Sequence, residues 1–347
     1  MSMTFGIHVG HLGGPMAELG RLWRFADEAG FDWFSVSDHF QESPPQGGDL
    51  DCFEAVATMA AAAAGTRHVR IGCLVYCVSY RNPGLLAKAL CTVDHLSGGR
   101  VECGIGAGWH EAEHRAFGIP FPPIGVREDQ LEEYAQVLRL LFDRKVASFA
   151  GRHYQLVDAR FHPKPLQPHV RIWIGGLGEK RTLRAAARHA DGWNAPYLDP
   201  PTWTAKNRVL DDWCQREGRD PTTIRRTANV GFYVGADARA AARQEEVLRA
   251  QWGPDLGGRR GFLRGTPAQT LDMLAAYRDA GVERLNIALR QGPYDWDALA
   301  AFAETALPAF GVSSEGGSAP LRDLPPGLRG QSPRSERFDQ ERANGRS

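Results

Sequence analysis

Short apolar runs of strand character alternate with amphipathic stretches from Thr4 to near Phe310. The strand candidates are Thr4–Val9, Trp33–Val36, Val69–Val75, Arg100–Gly104, Arg171–Gly175, Gly192–Ala195, Ala228–Val234 and Arg284–Leu289. Between them the helical period predicts helices such as Met16–Ala29, Asp51–Ala64, Pro83–Leu96, Arg127–Phe142, Lys180–His189 and Pro267–Ala280. Gly30 and Gly281 stand where two of these should stop, as glycine commonly does. Repeated β-α alternation admits a closed parallel barrel or a doubly wound sheet. Eight strand runs favour the α/β class in its (β/α)8 TIM-barrel form, with insertions. Functional residues should then lie just after strand C-termini.

Two stretches break the rhythm. Val146–Lys164, with Phe149-Ala-Gly-Arg-His-Tyr154, reads as a hairpin inserted before the fifth strand. Trp252–Gly265, with Gly257-Gly258-Arg259-Arg260, reads as a mobile loop between two helices after the seventh. A barrel domain over residues 1–311 is expected. From Val312 to Ser347 the chain is rich in Ser, Gly, Pro and Arg, which predicts a disordered C-terminal tail.

Composition narrows the function classes. The 347 residues are 43% hydrophobic, enough for one large core. Lys+Arg 41 against Asp+Glu 41 argues against reliance on a broad basic surface for nucleic acid. No apolar run approaches the ~20 residues of a membrane span, and the N-terminus shows no signal-peptide pattern. A cytoplasmic protein is the expectation. Cys52, Cys73, Cys77, Cys91, Cys103 and Cys214 form no C-x-x-C pair and read as reduced, mostly buried thiols.

Candidate chemistry follows the strands. After the second comes Ser37-Asp38-His39-Phe40, where a His beside a carboxylate suits general acid–base work. A surface Asp-His pair is the equal alternative. After the fourth comes Gly104-Ile-Gly106-Ala-Gly108-Trp109. These glycines suit close backbone approach to a ligand, but the spacing is not the dinucleotide fingerprint. His110-Glu111-Ala-Glu113-His114 is a literal H-E-x-x-H. Its short helix and missing third ligand favour a solvated charged helix over a metal site. After the fifth strand, Gly175-Gly176-Leu177-Gly178-Glu-Lys180-Arg181-Thr182 opens a helix and suits a phosphate cradle, against the alternative of a plain tight turn. His8 and His11 read as incidental loop histidines, and Trp23 and Trp33 as core.

Together these motifs resemble the luciferase-like monooxygenase superfamily, in its branch of deazaflavin (coenzyme F-420)-dependent oxidoreductases. The resemblance covers about residues 1–310. It rests on Ser37–Phe40, on Gly106–Trp109 with Glu113 and Phe117–Pro122, and above all on Trp173–Thr182 running into Arg188-His-Ala-Asp-Gly-Trp-Asn194. It implies a barrel whose mouth holds the ring of coenzyme F-420 (8-hydroxy-5-deazaflavin), or alternatively FMN, with a small-molecule substrate and often a homodimer. It implies a non-proline cis peptide near Leu74–Val75 supporting the ring. Asp38 and His39 match catalytic or ring-contacting positions; Gly106, Ala107, Gly108, Gly175, Gly176, Leu177 and Gly178 match the coenzyme-binding segments.

Hydride transfer at the deazaflavin carbon is the leading expectation. Trp109 and the loop carrying Arg260 would wall the substrate. Sugar-phosphate dehydrogenases of the branch carry Glu where this chain has Trp109, so their substrate is not carried over. An FMN-dependent monooxygenase is the nearest rival. A metal-dependent hydrolase using His110, Glu111 and His114, and a protein that sequesters the coenzyme without turnover, stand further off. By the resemblance Glu113 occupies a family position, and His110 and His114 are incidental.

Overall fold

The computed structural model describes residues 3–10, 14–41, 49–290, 292 and 294–311. His11 and the tail expected over 312–347 lie outside them. The strands are β1 (Thr4–Val9), β2 (Trp33–Val36), β3 (Arg70–Cys77), β4 (Val101–Gly106), β5 (Val146–Ala150), β6 (Gln155–Arg160), β7 (Ile172–Gly175), β8 (Gly192–Pro196), β9 (Arg225–Val234), β10 (Phe262–Gly265) and β11 (Arg284–Leu289). The helices are α1 (Met16–Glu28), α2 (Ala55–Ala64), α3 (Pro83–Ser97), α4 (Glu111–Ala116), α5 (Ile124–Asp143), α6 (Thr182–His189), α7 (Pro200–Arg216), α8 (Ala238–Trp252), α9 (Pro267–Ala280) and α10 (Trp296–Ala309).

Eight parallel strands close in the order β1-β2-β3-β4-β7-β8-β9-β11, and β11 returns to β1. The fold is the expected (β/α)8 barrel. The hairpin β5–β6 pairs antiparallel outside it, as its sequence suggests. Trp252–Gly265 departs from expectation. It forms a short 3-10 turn at Leu256–Gly258 and then β10, which runs parallel to β9 with Phe262 opposite Gly231. The Phe262 ring supplies the reason, packing 5.5 Å from Trp252 and 5.8 Å from Tyr197 and Tyr233. No helix among the described residues is long and apolar enough to cross a membrane. Five cysteines are buried, Cys52 is half-buried, and none of the six forms a disulfide.

Strand alternation sorts side chains into two cores. Phe5, Ile7 and Val9 of β1 point outward, and Phe5 meets Phe302 and Phe310 edge-on. The other set points into the barrel and is unusually polar. Near the strand N-termini, the Arg284 guanidinium lies between Trp33 and Trp173, 4.4 and 4.6 Å from their ring centroids. The indoles need room, and small neighbours supply it. A Cβ on Gly192 would fall 2.1 Å from Trp173, and one on Gly72 2.5 Å from Trp33. Above this floor Asn286 donates to Asn229 at 2.8 Å and Thr227 to Asn194 at 2.9 Å. Among the described residues this floor fills the N-terminal end of the barrel and leaves the C-terminal mouth for a ligand.

Candidate active site at the barrel mouth

β1 brings His8 to the upper interior, where β2 and its extension present Ser35 and Ser37. The ring nitrogens of His8 bond Ser35 Oγ at 2.9 Å and Ser37 Oγ at 3.3 Å. Burial and the nearby His39 lower its pKa to about 3, so the ring is neutral near neutral pH. His8 is therefore no incidental loop residue. A strand position pointing inward gives it a fixed place in the interior.

Asp38 and His39, adjacent in sequence, diverge in space. Asp38 is buried and takes the Arg81 guanidinium through both oxygens, at 2.5 and 2.9 Å, and the Cys77 N–H at 3.0 Å. Burial raises its pKa, opposed by the hydrogen bonds and charge of Arg81. Arg81 also pairs with Glu54, the N-cap of α2. Asp38 thus fastens the end of β3 to the loop after β2, and it is not the partner of His39.

That partner is Glu113, on α4. His39 Nδ1 lies 2.8 Å from Glu113 Oε2, which also accepts from the Tyr80 hydroxyl at 2.5 Å. The other oxygen accepts the backbone N–H groups of Phe40 and, at 3.1 Å, Gln41. Burial works against ionisation of this carboxyl, but the His39 hydrogen bond and charge, the Tyr80 hydroxyl and the Phe40 N–H outweigh it. They hold its pKa at about 2. The ionised carboxylate fixes the orientation of the His39 ring.

The H-E-x-x-H run is solvated only in part, with Glu111 and Ala112 exposed. His110, Glu113 and His114 are all buried. The two histidines do not converge: His114 turns to Ser79, 2.6 Å from its Oγ, and packs against Tyr80 and Phe121. His110 instead lies 3.5 Å from Glu113 Oε2, and its ring is 5.9 Å from that of His39. Trp109 covers this group, 60% exposed, with centroid distances of 5.6 Å to His39 and 5.0 Å to His110.

Between β2 and β4, β3 carries a cis peptide between Leu74 and Val75, and its register with β4 shifts between Cys73 and Tyr76. Val75 lodges between the ends of β4 and β7. A Cβ on Gly106 would fall 2.5 Å, and one on Gly175 2.7 Å, from its methyl carbons. These two glycines therefore make room for the chain's own valine. Gly108 differs: it sits at φ +78, and the carbonyls of Ala107 and Gly108 accept from buried Arg127. Gly176 sits at φ +136 with its N–H bonded to Asn194. The N–H groups of Leu177 and Gly178 have no protein partner among the described residues. Arg181 bonds Asp129 and Gly125, while Thr182 donates to buried Glu128 at 2.7 Å. Arg260 is exposed on the rim, its N–H 3.4 Å from the Tyr197 carbonyl beyond β8.

The structure brings the sequence candidates His39 and Trp109 together at the mouth and sets beside them Glu113, Tyr80, Arg81 and His8, which were not among those candidates. The spacing of Glu113 from Trp109, noted in the resemblance, was the available signal.

Comparison with known proteins agrees with this architecture. The luciferase-like monooxygenase family model matches residues 2–254, and the chain belongs to that family. An uncharacterised protein of Mycobacterium tuberculosis is 32% identical over 211 residues, 57% of this chain and 73% of that one. An F-420-dependent glucose-6-phosphate dehydrogenase of Amycolatopsis mediterranei is 36% identical over 169 residues, 48% of this chain and 50% of the other. Among solved structures, an F-420-dependent secondary alcohol dehydrogenase bound to an F-420–acetone adduct superposes with a TM-score of 0.78. It is 21% identical, with 89% of this chain and 99% of the other covered, and so attests the fold.

Proposed function

We propose that the chain is a cytoplasmic oxidoreductase that exchanges hydride between coenzyme F-420 and a small organic substrate, with His39 managing the proton. The observation carrying this reading is the His39–Glu113 contact at 2.8 Å, set beneath an exposed Trp109 at the C-terminal mouth of the barrel. The F-420-dependent relative directs the choice of coenzyme. Balanced charge supports the absence of a nucleic-acid partner, and family resemblance favours a homodimer.

The residues present fit the coenzyme. The unpaired Leu177 and Gly178 N–H groups, above the start of α6, suit a phosphate. The Leu74–Val75 bulge and the Gly106–Gly108 segment would flank the ring. When bound, F-420 supplies a carbon that donates or accepts hydride and supports oxygen chemistry poorly. Glu113 orients His39 through Nδ1, so Nε2, across the ring, is the atom that exchanges a proton with the reacting substrate. Trp109 and the rim segment bearing Arg260 would confine the substrate and exclude water.

Titration with F-420 and FMN, followed by fluorescence quenching and native mass spectrometry, tests the coenzyme. F-420 should bind as one equivalent per chain. Preference for FMN with oxygen-dependent turnover would overturn the deazaflavin reading. His39→Ala should lower kcat by about 10²–10⁴ while changing coenzyme affinity far less; equal losses in both would make His39 a binding residue. Gly176→Ala places a Cβ at positive φ and 3.0 Å from the Thr182 methyl. It should cost about 1–3 kcal/mol of stability and, on the cradle reading, weaken coenzyme binding. A folded variant with unchanged affinity removes the cradle.

A further inference from the structure

His110 has no evident structural purpose. It is 4% exposed, yet among the described residues neither ring nitrogen has a hydrogen-bond partner, Nδ1 lying 3.5 Å from Glu113 Oε2. A neutral imidazole carries one donor and one acceptor, and burying such groups without partners is destabilising. His39, His110 and Glu113 each offer one ligand atom, and the three atoms lie within 4.8 Å of one another. Glu113 Oε2 is 3.5 Å from His110 Nδ1, close to the separation of two ligands of one small cation, and 2.8 Å from His39 Nδ1 in a hydrogen bond that a cation would replace. The carboxylate is already oriented from outside, by Tyr80 and by two backbone N–H groups. Outer bonds of that kind fix a metal ligand in place.

We propose that His39, His110 and Glu113 form a binding site for a divalent transition cation of the zinc class. Two imidazole nitrogens and one carboxylate oxygen suit such a borderline ion, with water or substrate completing its coordination. These are not the ligands the H-E-x-x-H motif would supply, since His114 faces Ser79. Binding through Nδ1 leaves the single proton of a neutral His39 ring on Nε2. On the proposed function, a His39 ring held by the cation at Nδ1 no longer offers an acceptor at Nε2, so the ion would inhibit. The site itself does not depend on that reading, so its test is binding rather than activity.

The full chain, stripped with chelator and dialysed, is titrated with Co2+ and Zn2+. One equivalent should bind, Co2+ should show ligand-field bands of a nitrogen–oxygen site, and Zn2+ should displace it. His110→Ala should weaken binding at least tenfold with circular dichroism unchanged. A folded unsubstituted chain that binds neither ion, or a folded His110→Ala chain that binds as tightly, would overturn the site. Should that variant not fold, anomalous scattering from Zn2+-soaked crystals of the unsubstituted chain decides. Density between His39, His110 and Glu113 supports the proposal, and its absence defeats it.

Discussion

Glu102→Gln should destabilise the chain by about 3–5 kcal/mol while leaving coenzyme affinity of the folded fraction intact. Removing one partner of a buried ion pair strands the other, and this range is what such losses cost. Glu102 is fully buried on β4 and receives Arg70 Nε at 2.6 Å, Arg171 at 2.9 Å, Trp173 Nε1 at 2.8 Å and Arg284 at 3.1 Å. Arg70 and Arg171 reach solvent and can rehydrate, but Arg284 is 0% exposed between its two indoles. It would be left with Asp32 at 3.2 Å. Guanidinium denaturation measures the loss. The double variant Glu102→Gln/Arg284→Met should lose less than the two single losses summed, because it leaves no stranded charge. A loss below about 1 kcal/mol for Glu102→Gln would show that the floor does not depend on this charge. Acid should probe the same group. Burial opposes ionisation of Glu102, but the three arginines hold its pKa at about 2. Its stabilisation is complete above the unfolded carboxyl value of ~4.3 and is lost as pH falls from there through about 2.

The order of elements was legible because a barrel strand buried on one face by helices writes itself as an apolar run, and β1, β2 and β11 keep the bounds their sequences suggest. Helix starts were less so. Glu54 caps α2 by accepting the Ala57 N–H, which sets Ala55 rather than Asp51 as its first residue. β10 hid because four residues flanked by glycine and arginine carry no period; its stability comes from aromatic rings of other elements. The inward set was also hard to read. Gly6, Gly72 and Gly192 look like turn residues until Asn286, Trp33 and Trp173 are seen to fill their side-chain space. At the mouth, adjacency misled. Asp38 precedes His39 in sequence, but successive side chains of an extended segment point apart. The carboxylate that reaches His39 comes from a helix more than seventy residues away. Helix α4 looked wholly solvated because Glu111, Ala112, Arg115 and Ala116 are indeed exposed, while the partners that bury Glu113 and His114 follow no local pattern.

Glu113→Gln should lower kcat by about 10²–10⁴ and shift the pH–rate limb to lower pH, with coenzyme affinity little changed. All the neighbours of this carboxylate on His39, Tyr80, Phe40 and Gln41 present it with donors. An amide has only one accepting oxygen. If that oxygen keeps the Phe40 and Gln41 N–H groups, the NH2 faces His39 Nδ1 and Tyr80. The tyrosine hydroxyl can rotate to accept, and so can Nδ1, but only by moving the imidazole proton to Nε2. His39 then presents a donor where a base had presented an acceptor. The lost negative charge also disfavours imidazolium, which sets the acidward direction of the shift. If the amide flips, the NH2 opposes two backbone donors that cannot reverse, and the Phe40–Gln41 turn loosens. The two cases separate experimentally. A tautomer change lowers kcat with unfolding free energy nearly preserved, and 15N shifts of the His39 ring report the proton's new position. A loosened turn lowers stability and raises KM together. Glu113→Asp, which keeps the charge on a shorter stem, should recover part of kcat and restore the pH limb. Wild-type turnover with an unmoved pH profile in Glu113→Gln would show that His39 works without this carboxylate, and the assignment of Glu113 as its positioning residue would fail.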